Sequence, residues 1–438
     1  MKVKANALRI TTEAGLKTSG FFRKVFRTLP FVFAAAALLG IILSSIQISL
    51  LTEPQYDQFA AERWEGDTGK SYRQVSVISR GQHRTDGAPP LFLDAGSSLN
   101  KNSVIEIRGA LDTLISASAI QGDRTIQPTI PAEPSDIRTW VDAYYSEARM
   151  SIRAIVNETE MSETVNSEVT GVAGNYYLFH PRRILSGSFL SEERFDPQSI
   201  VLNEQLAWLL FKSNDIEGRT VLIGSRKYNV VGVVAEPDAK IDIAAGFDSP
   251  RAYIYFDELA FIGASPSDNG SFTDRENFDF MPGKGEGEIT ADSLLVFCYE
   301  AVLPDPIDGI ALNDLKDALT TYSPNDENFY FVDHTGRFGV ISLAKHFFSN
   351  DEDLILRSKY AYPPSEISAQ ITEKHLTSWW IVLLIATLFA IISALASVLT
   401  ILRLRSDSSK SGNPDLTVTE EEPQPTIAKG SVPIIRRV

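Results

Sequence analysis

The chain has 438 residues, with 41 Lys and Arg against 56 Asp and Glu, a formal net charge of −15 and a single cysteine. One cysteine excludes a disulfide framework, and Cys298 lies in the apolar run 294–299, where it reads as a small core residue of a strand. The acidic balance excludes long-range attraction to nucleic acid or to anionic headgroups.

Residues 1–30 are basic: Lys2, Lys4, Arg9, Lys17, Arg23, Lys24 and Arg27 stand against one acid, Glu13. Residues 31–51 follow without a charge. At 1.5 Å rise they would make a helix of ~31 Å, enough for a hydrocarbon core of ~30 Å. The run is too long for the apolar part of a signal peptide, and residues 44–51 offer no small-x-small cleavage site, so a retained span is expected. A second uncharged run covers 378–402, opens with Trp379 and Trp380, and is followed by Arg403 and Arg405. Lys and Arg stay on the cytoplasmic side, which predicts two spans in the plasma membrane, both termini inside and residues 52–377 outside. Removing the 13 basic and 6 acidic residues beyond 52–377 leaves 28 against 50, a net of −22 for the ectodomain.

Within the ectodomain, residues 72–79 alternate like a half-buried strand, and 101–120 carry Val104, Ile107, Leu111, Leu114 and Ile115 at helical spacing, with Gly122 as a stop. Residues 122–136 read as a loop, and 137–156 are compatible with either helix or strand. Residues 200–202 form a short strand, Asn203 caps a helix over Glu204–Phe211, and Gly218 turns the chain into Thr220–Ile223. Gly224, Ser225 and Arg226 make a tight hairpin into 228–234. A polar loop is expected over 262–293, a strand over 294–302, a helix over 311–322 and a strand over 329–333. Pro363 and Pro364 stop any preceding helix, and Ser365 is a candidate N-cap. No proline or glycine then intervenes before Leu402, so residues 365–402 predict one helix of ~57 Å. Its first part, 365–377, would be a stalk of ~20 Å outside the membrane. Residues 403–438 form a cytoplasmic tail; 406–438, with Glu420 to Glu422 in a row, are too polar to fold alone and are expected to be disordered.

Chemistry is sparse. His83, His180, His334, His346 and His375 form no metal-binding spacing, and no phosphate-cradling G-x-x-x-x-G-K-[ST] or nucleophile elbow occurs. Residues 282–288 (PGKGEGE) and 268–270 (DNG) read as loop and turn, and 185–187 (LSG) as a turn. Asp333–His334 reads as a strand end with exposed polar residues, and the acidic runs 192–193 and 351–353 as solvated surface. The expectation is therefore no catalytic, cofactor-binding or metal residue, no cofactor, and no enzyme activity. Ala36, Gly40 and Ser44 on one span, and Ala386, Ala390 and Ala394 beside Ser393 and Ser397 on the other, would let helix backbones approach closely. The contact could join the two spans or bind a partner subunit, homo- or hetero-oligomeric.

Residues 171–238 carry a resemblance. The stretches 186–189 (SGSF), 199–207 (SIVLNEQLA), 210–211 (LF), 216–224 (IEGRTVLIG) and 228–234 (YNVVGVV) keep the order, and nearly the spacing, of the extracytoplasmic core domain of MacB-type ABC transporter permeases. The resemblance implies an α+β extracytoplasmic domain, a MacB-like core of two subdomains with a further strand at 252–259, between two transmembrane α-helices. It further implies a membrane subunit or accessory of an ABC transporter complex. Motion of the spans, driven by a separate cytoplasmic ATPase, would be relayed to the outside domain, with a four-span permease as a further partner. Such a permease has two more spans than are seen here, so a truncated two-span variant is expected. The alternative is a stand-alone membrane-anchored binding or scaffold module without transport activity.

Overall fold

The computed structural model describes residues 28–66, 70–79, 99–122, 139–155, 162–191, 195–264, 294–320, 329–348 and 362–410. They fall into two compact units, one of Ser44–Ile381 and one of Met1–Leu43 with Val382–Val438.

Among the described residues, the larger unit is built on ten strands in one mixed sheet. They are β1 (Tyr72–Ser79), β2 (Val141–Ile155), β3 (Val165–Gly174), β4 (Arg183–Gly187), β5 (Ser199–Asn203), β6 (Thr220–Ile223), β7 (Arg226–Ala235), β8 (Arg251–Tyr255), β9 (Cys298–Pro304) and β10 (Phe329–Asp333). The order is β10-β1-β9-β2-β3-β8-β5-β7-β4, with β6 pairing β2 and β7. The pairs β3–β8 and β5–β7 are parallel and the others antiparallel. The ambiguous stretch 137–156 thus resolves as β2, whose 15 residues pair with β3, β6 and β9. The strand expected over 294–302 is regular only from Cys298, although Leu294 to Phe297 are fully buried.

One face of the sheet is covered by α3 (Lys101–Gly122), α5 (Glu204–Phe211), α7 (Glu258–Ala264) and α8 (Ile310–Thr320). They bury Val104, Ile107 and Leu111, Leu206 and Leu210, Leu259, and Leu315 against Val75, Val77 and Ile254. The opposite face carries α2 (Ala60–Glu65) and α4 (Tyr176–Phe179), which pack on Ile78, Tyr145, Val201 and Tyr253. With both faces covered, β1 is buried at seven of its eight positions. Its alternation therefore separates two interiors, whereas the pattern alone suggested a core and water.

Asn203 caps α5 as its sequence requires, its Oδ1 accepting from Leu206 N at 2.9 Å. The same oxygen accepts from Arg251 N at 3.0 Å, which ties the cap to β8. Gly187 and Gly232 let two backbones touch. Gly187 has φ +69, a Cβ there would lie 2.1 Å from Val231 O, and one on Gly232 would lie 2.1 Å from Ser188 O. Residues 252–259 form a strand only to Tyr255, because Glu258 opens α7. That helix also takes in residues 262–264, so the polar loop begins later than expected; the rest of it, 265–293, lies outside the described residues. The loop expected at 122–136 lies outside them too, apart from Gly122 at the end of α3, as do the acidic runs 192–193 and 351–353 and the tail beyond Lys410.

Among the described residues, two helices are long and apolar enough to cross a membrane: α1 (Thr28–Thr52) and α10 (Pro364–Lys410). Between them in sequence lie α6 (Lys240–Ala245) and α9 (Val340–Phe348). In the smaller unit α1 and α10 touch: a Cβ on Gly40 would sit 3.3 Å from Ala386 Cβ, and the Phe33 and Phe389 rings meet edge to face at 5.4 Å. The small-residue contact therefore joins the two helices within this chain. Ala36 and Ala394 are exposed, whereas Ala37, Ser44, Ser393 and Ser397 are buried, because a 3.6-residue period drifts from a strict spacing of four.

Helix α10 is unbroken from Pro364 to Lys410, so residues 406–410 of the expected disordered tail are helical. Its first turn departs from expectation at Ser365. Pro363 O accepts from Glu366 N at 3.0 Å and Ile367 N at 3.1 Å, which makes Pro364 the first helical residue and puts Ser365 inside the turn. Proline suits that position because its missing N–H would have had no intrahelical partner. Nor is 365–377 a free stalk: Glu366, Ser368, Ala369, Thr372 and Leu376 are all buried.

Candidate functional site: a buried polar junction at the root of the last helix

The buried side of α10 meets two layers. The first is apolar: Ala369 and Leu376 pack with Phe338 and Leu343, and Ile48, Leu51, Phe59 and Trp380 close around them. Trp380 Nε1 donates to Phe338 O at 3.2 Å. The ends of both membrane-length helices are thus held by one small cluster.

The second layer is polar and largely buried. Arg337, in the turn after β10, donates from Nη1 and Nη2 to Glu366 at 2.6 and 2.7 Å and from Nε to Glu373 at 2.5 Å. Glu366 and Glu373 are seven residues apart, two helical turns, so they share one face of α10 and clamp one guanidinium. Arg337 Nη1 also donates to Gln58 Oε1 at 2.9 Å. Gln58 belongs to a 3-10 turn, Tyr56–Gln58, that follows α1. From there the chain of bonds enters the sheet. His334 Nδ1 meets Gln58 Oε1 at 2.6 Å, its Nε2 meets Ser76 Oγ at 2.7 Å, and Ser76 Oγ donates to Glu300 Oε1 at 2.9 Å. His180 then bridges Glu300 (Nε2, 2.6 Å) and Asp57 (Nδ1, 3.0 Å). Arg182 donates to Asp57 at 2.8 and 3.1 Å and to Glu236 at 2.9 Å, and Tyr253 Oη donates to Glu236. A side branch runs from Gln55 Nε2 to Ser368 Oγ at 3.0 Å and on to Asp242 of α6 at 2.5 Å.

Proton placement follows from donor counts. Ionised Asp57 and Glu300 only accept, so both ring nitrogens of His180 must donate and the ring is an imidazolium. Burial opposes that charge, but Glu300 and Asp57 hold the pKa up to about 9. With both nitrogens spent, His180 has no lone pair for a metal. Burial likewise disfavours the Asp57 carboxylate, yet Arg182 and His180 keep it well below the usual carboxylate range. His334 is the opposite case: burial, with Arg337 and His180 nearby, pushes its pKa well below 6.5, so the ring is neutral. It donates from Nδ1 to Gln58, whose Oε1 can only accept, and takes the Ser76 hydroxyl at Nε2. Ser76 therefore has one hydrogen for two acceptors, His334 and Glu300.

Asp333 and His334 correct the expectation of exposed polar residues at a strand end. His334 is 5% exposed, and Asp333 Oδ2 accepts from Arg73 at 2.5 Å. The reason is that the 3-10 turn and α10 cover this end of the sheet, a contact no local pattern encodes. Of the other histidines, His375 is exposed on α10, and the side chains of His83 and His346 lie outside the described residues. Cys298 is buried and unpaired at the start of β9, as expected of a core residue.

The fold is thus a mixed α/β domain with a candidate membrane helix before it and another after it, and with its polar junction on the second. Residues 96–279 match the family described as MacB-like periplasmic core domain. Those residues therefore carry a MacB-like periplasmic core domain. No curated protein matches it. Among solved structures it is similar to the periplasmic region of MacB from Actinobacillus actinomycetemcomitans, at 13% identity over 65% of this chain and 97% of that one, with a TM-score of 0.35. It is also similar to the extracellular domain of the noncanonic ABC-type transporter YknZ from Gram-positive bacteria, at 13% identity over 59% and 99%, with a TM-score of 0.31.

Proposed function

We propose that this chain is a two-span subunit or accessory of an ABC-type transporter complex that carries motion between its spans and an extracytoplasmic domain. The observation that carries the reading is the junction. An uninterrupted helix of membrane length enters the sheet's hydrogen-bond network through the Arg337 clamp on Glu366 and Glu373, with no flexible linker to absorb a tilt. The work would come from a separate cytoplasmic ATPase, with a four-span permease as a second partner, and the purified chain should neither bind nor hydrolyse ATP. No substrate enters the reading. Solubilised membranes should yield a co-purifying ATPase when the chain is captured intact. Recovery of the chain alone, under conditions that preserve known ABC complexes, would favour the stand-alone scaffold. Orientation has its own test: cysteines at Ser19 and Ser409 should resist a membrane-impermeant thiol reagent in intact cells, and one at Ser267 should label.

A further inference from the structure

A second feature lies in the same unit but away from the junction. A cavity of about 460 Å³ opens among Lys101, Arg108, Tyr144, Tyr177, Phe189 and Tyr255. That volume falls in the range of small-molecule sites, roughly 300–1,000 Å³. It sits where β3 and β8, the parallel pair at the middle of the sheet, both end, since Gly174 and Tyr255 line it. Adjacent parallel strands leave a crevice beyond their carboxyl ends, where open α/β sheets hold ligands.

The walls are aromatic. Tyr177 and Phe189 stack with centroids 4.1 Å apart, and the Arg108 guanidinium lies 5.6 Å from the Tyr144 ring centroid. The two cations are fixed from behind. Arg108 donates from Nε and Nη2 to Asp142 at 2.6 and 3.0 Å, and Lys101 Nζ donates to Asp257 at 2.8 Å. Their partners are the more buried members, at 6% and 16% side-chain exposure against 24% and 32% for Arg108 and Lys101. Arg108 Nη1 makes no hydrogen bond among the described residues, and Lys101 has spent one of its three donors on a carboxylate. Fixed cations with donors to spare, set in an aromatic wall, suit a ligand that is apolar at one end and anionic at the other.

We propose that this cavity binds an aromatic or aliphatic group bearing a carboxylate, with the carboxylate at Arg108 and Lys101 and the apolar part between Tyr144, Tyr177 and Phe189. A free organic acid and the C-terminal residue of a peptide share this chemistry. The test uses the full chain in lipid nanodiscs and four probes: N-acetyl-phenylalanine, its primary amide, and a pentapeptide ending in phenylalanine with a free or amidated terminus. Calorimetry should show at least one free acid binding about tenfold or more tighter than its amide, the size expected of a charge-assisted hydrogen bond. A peptide acid tighter than the small acid assigns a polypeptide terminus, and equal affinities assign the free acid. Arg108→Lys, which keeps a cation beside Asp142, should weaken the acid about tenfold. Ser191→Trp, at a lining residue already exposed, should fill the cavity and abolish binding with no change in Tm. Acid and amide binding alike, no binding of any probe at about 10 mM, or unchanged binding in both variants would overturn the proposal. The junction reading stands or falls separately, because none of its residues lines this cavity.

Discussion

Replacing Arg337 with methionine removes the one cation between Glu366 and Glu373, whose side chains are 4% and 12% exposed. Glu366 cannot reach water without pulling α10 away from the sheet, Glu373 touches it only at its edge, and Gln58 Oε1 loses a donor as well. Breaking a buried ion pair from one side typically costs about 3–5 kcal/mol, because a desolvated charge is left unpaired. At about 2 cal/mol/K per residue, the unfolding entropy of a domain this size turns that cost into a drop in Tm of roughly 5 °C. The larger part of the cost is the stranded charge, which gives the reasoning a second arm. Adding Glu366→Gln and Glu373→Gln to Arg337→Met should recover most of the loss, since neutral amides tolerate burial far better than carboxylates. Tm of the full chain in nanodiscs measures both. A single variant within about 1 °C of the wild type would show that the clamp is not buried in solution. A triple variant no more stable than the single one would show that the cost is lost packing and not stranded charge.

Two further outcomes follow from the network and the sheet. His180 has its pKa raised from 6.5 to about 9, so its contribution is fully present below pH 6.5 and is lost as pH rises through 9. The Tm advantage of the wild type over His180→Gln should correspond to about 3 kcal/mol at pH 6 and should vanish by about pH 10. A difference that does not change with pH would mean the ring is not an imidazolium. Gly187→Ala places a Cβ 2.1 Å from Val231 O on a backbone with φ +69, so it should cost about 3 kcal/mol or more, read as lost Tm or lost folded yield. A neutral outcome would mean that β4 and β7 are not paired in this register.

The local elements were legible because their signals are local. Asn203 before an apolar helical stretch, Gly218 and Gly224 at reversals, and the strands on either side of the hairpin fell where propensity and turn chemistry put them. The sheet order was not, because β3 pairs with β8 some eighty residues on, and such pairing is set by packing over the whole domain. The junction was hidden for a related reason. Gln74 and Ser76 looked like the wet side of a half-buried strand, yet that side faces a second interior closed by α10 and the 3-10 turn. Two signals were nevertheless present. Glu300 stands within the apolar run 294–302, where an unpaired acid would be costly, and Glu366 and Glu373 repeat at a helical interval on a segment read only as a stalk.

The central claim is that displacement of the last helix is felt inside the sheet, and lipid thickness is the handle that tests it without a partner or substrate. A bilayer thinner or thicker than the apolar stretch forces a span to tilt. Hydrogen exchange would be followed at residues 55–58 and 334–339 in nanodiscs of two thicknesses. The chains compared would be the wild type and a variant with two glycines inserted after Ile381, an exposed position beyond Trp380 that leaves the Arg337 clamp and the Trp380–Phe338 bond intact. The account predicts that protection at both sites shifts with thickness in the wild type and is insensitive to it in the glycine variant, with the two chains equally stable. Sites that ignore thickness in the wild type, or follow it equally in both chains, would contradict a rigid relay through α10.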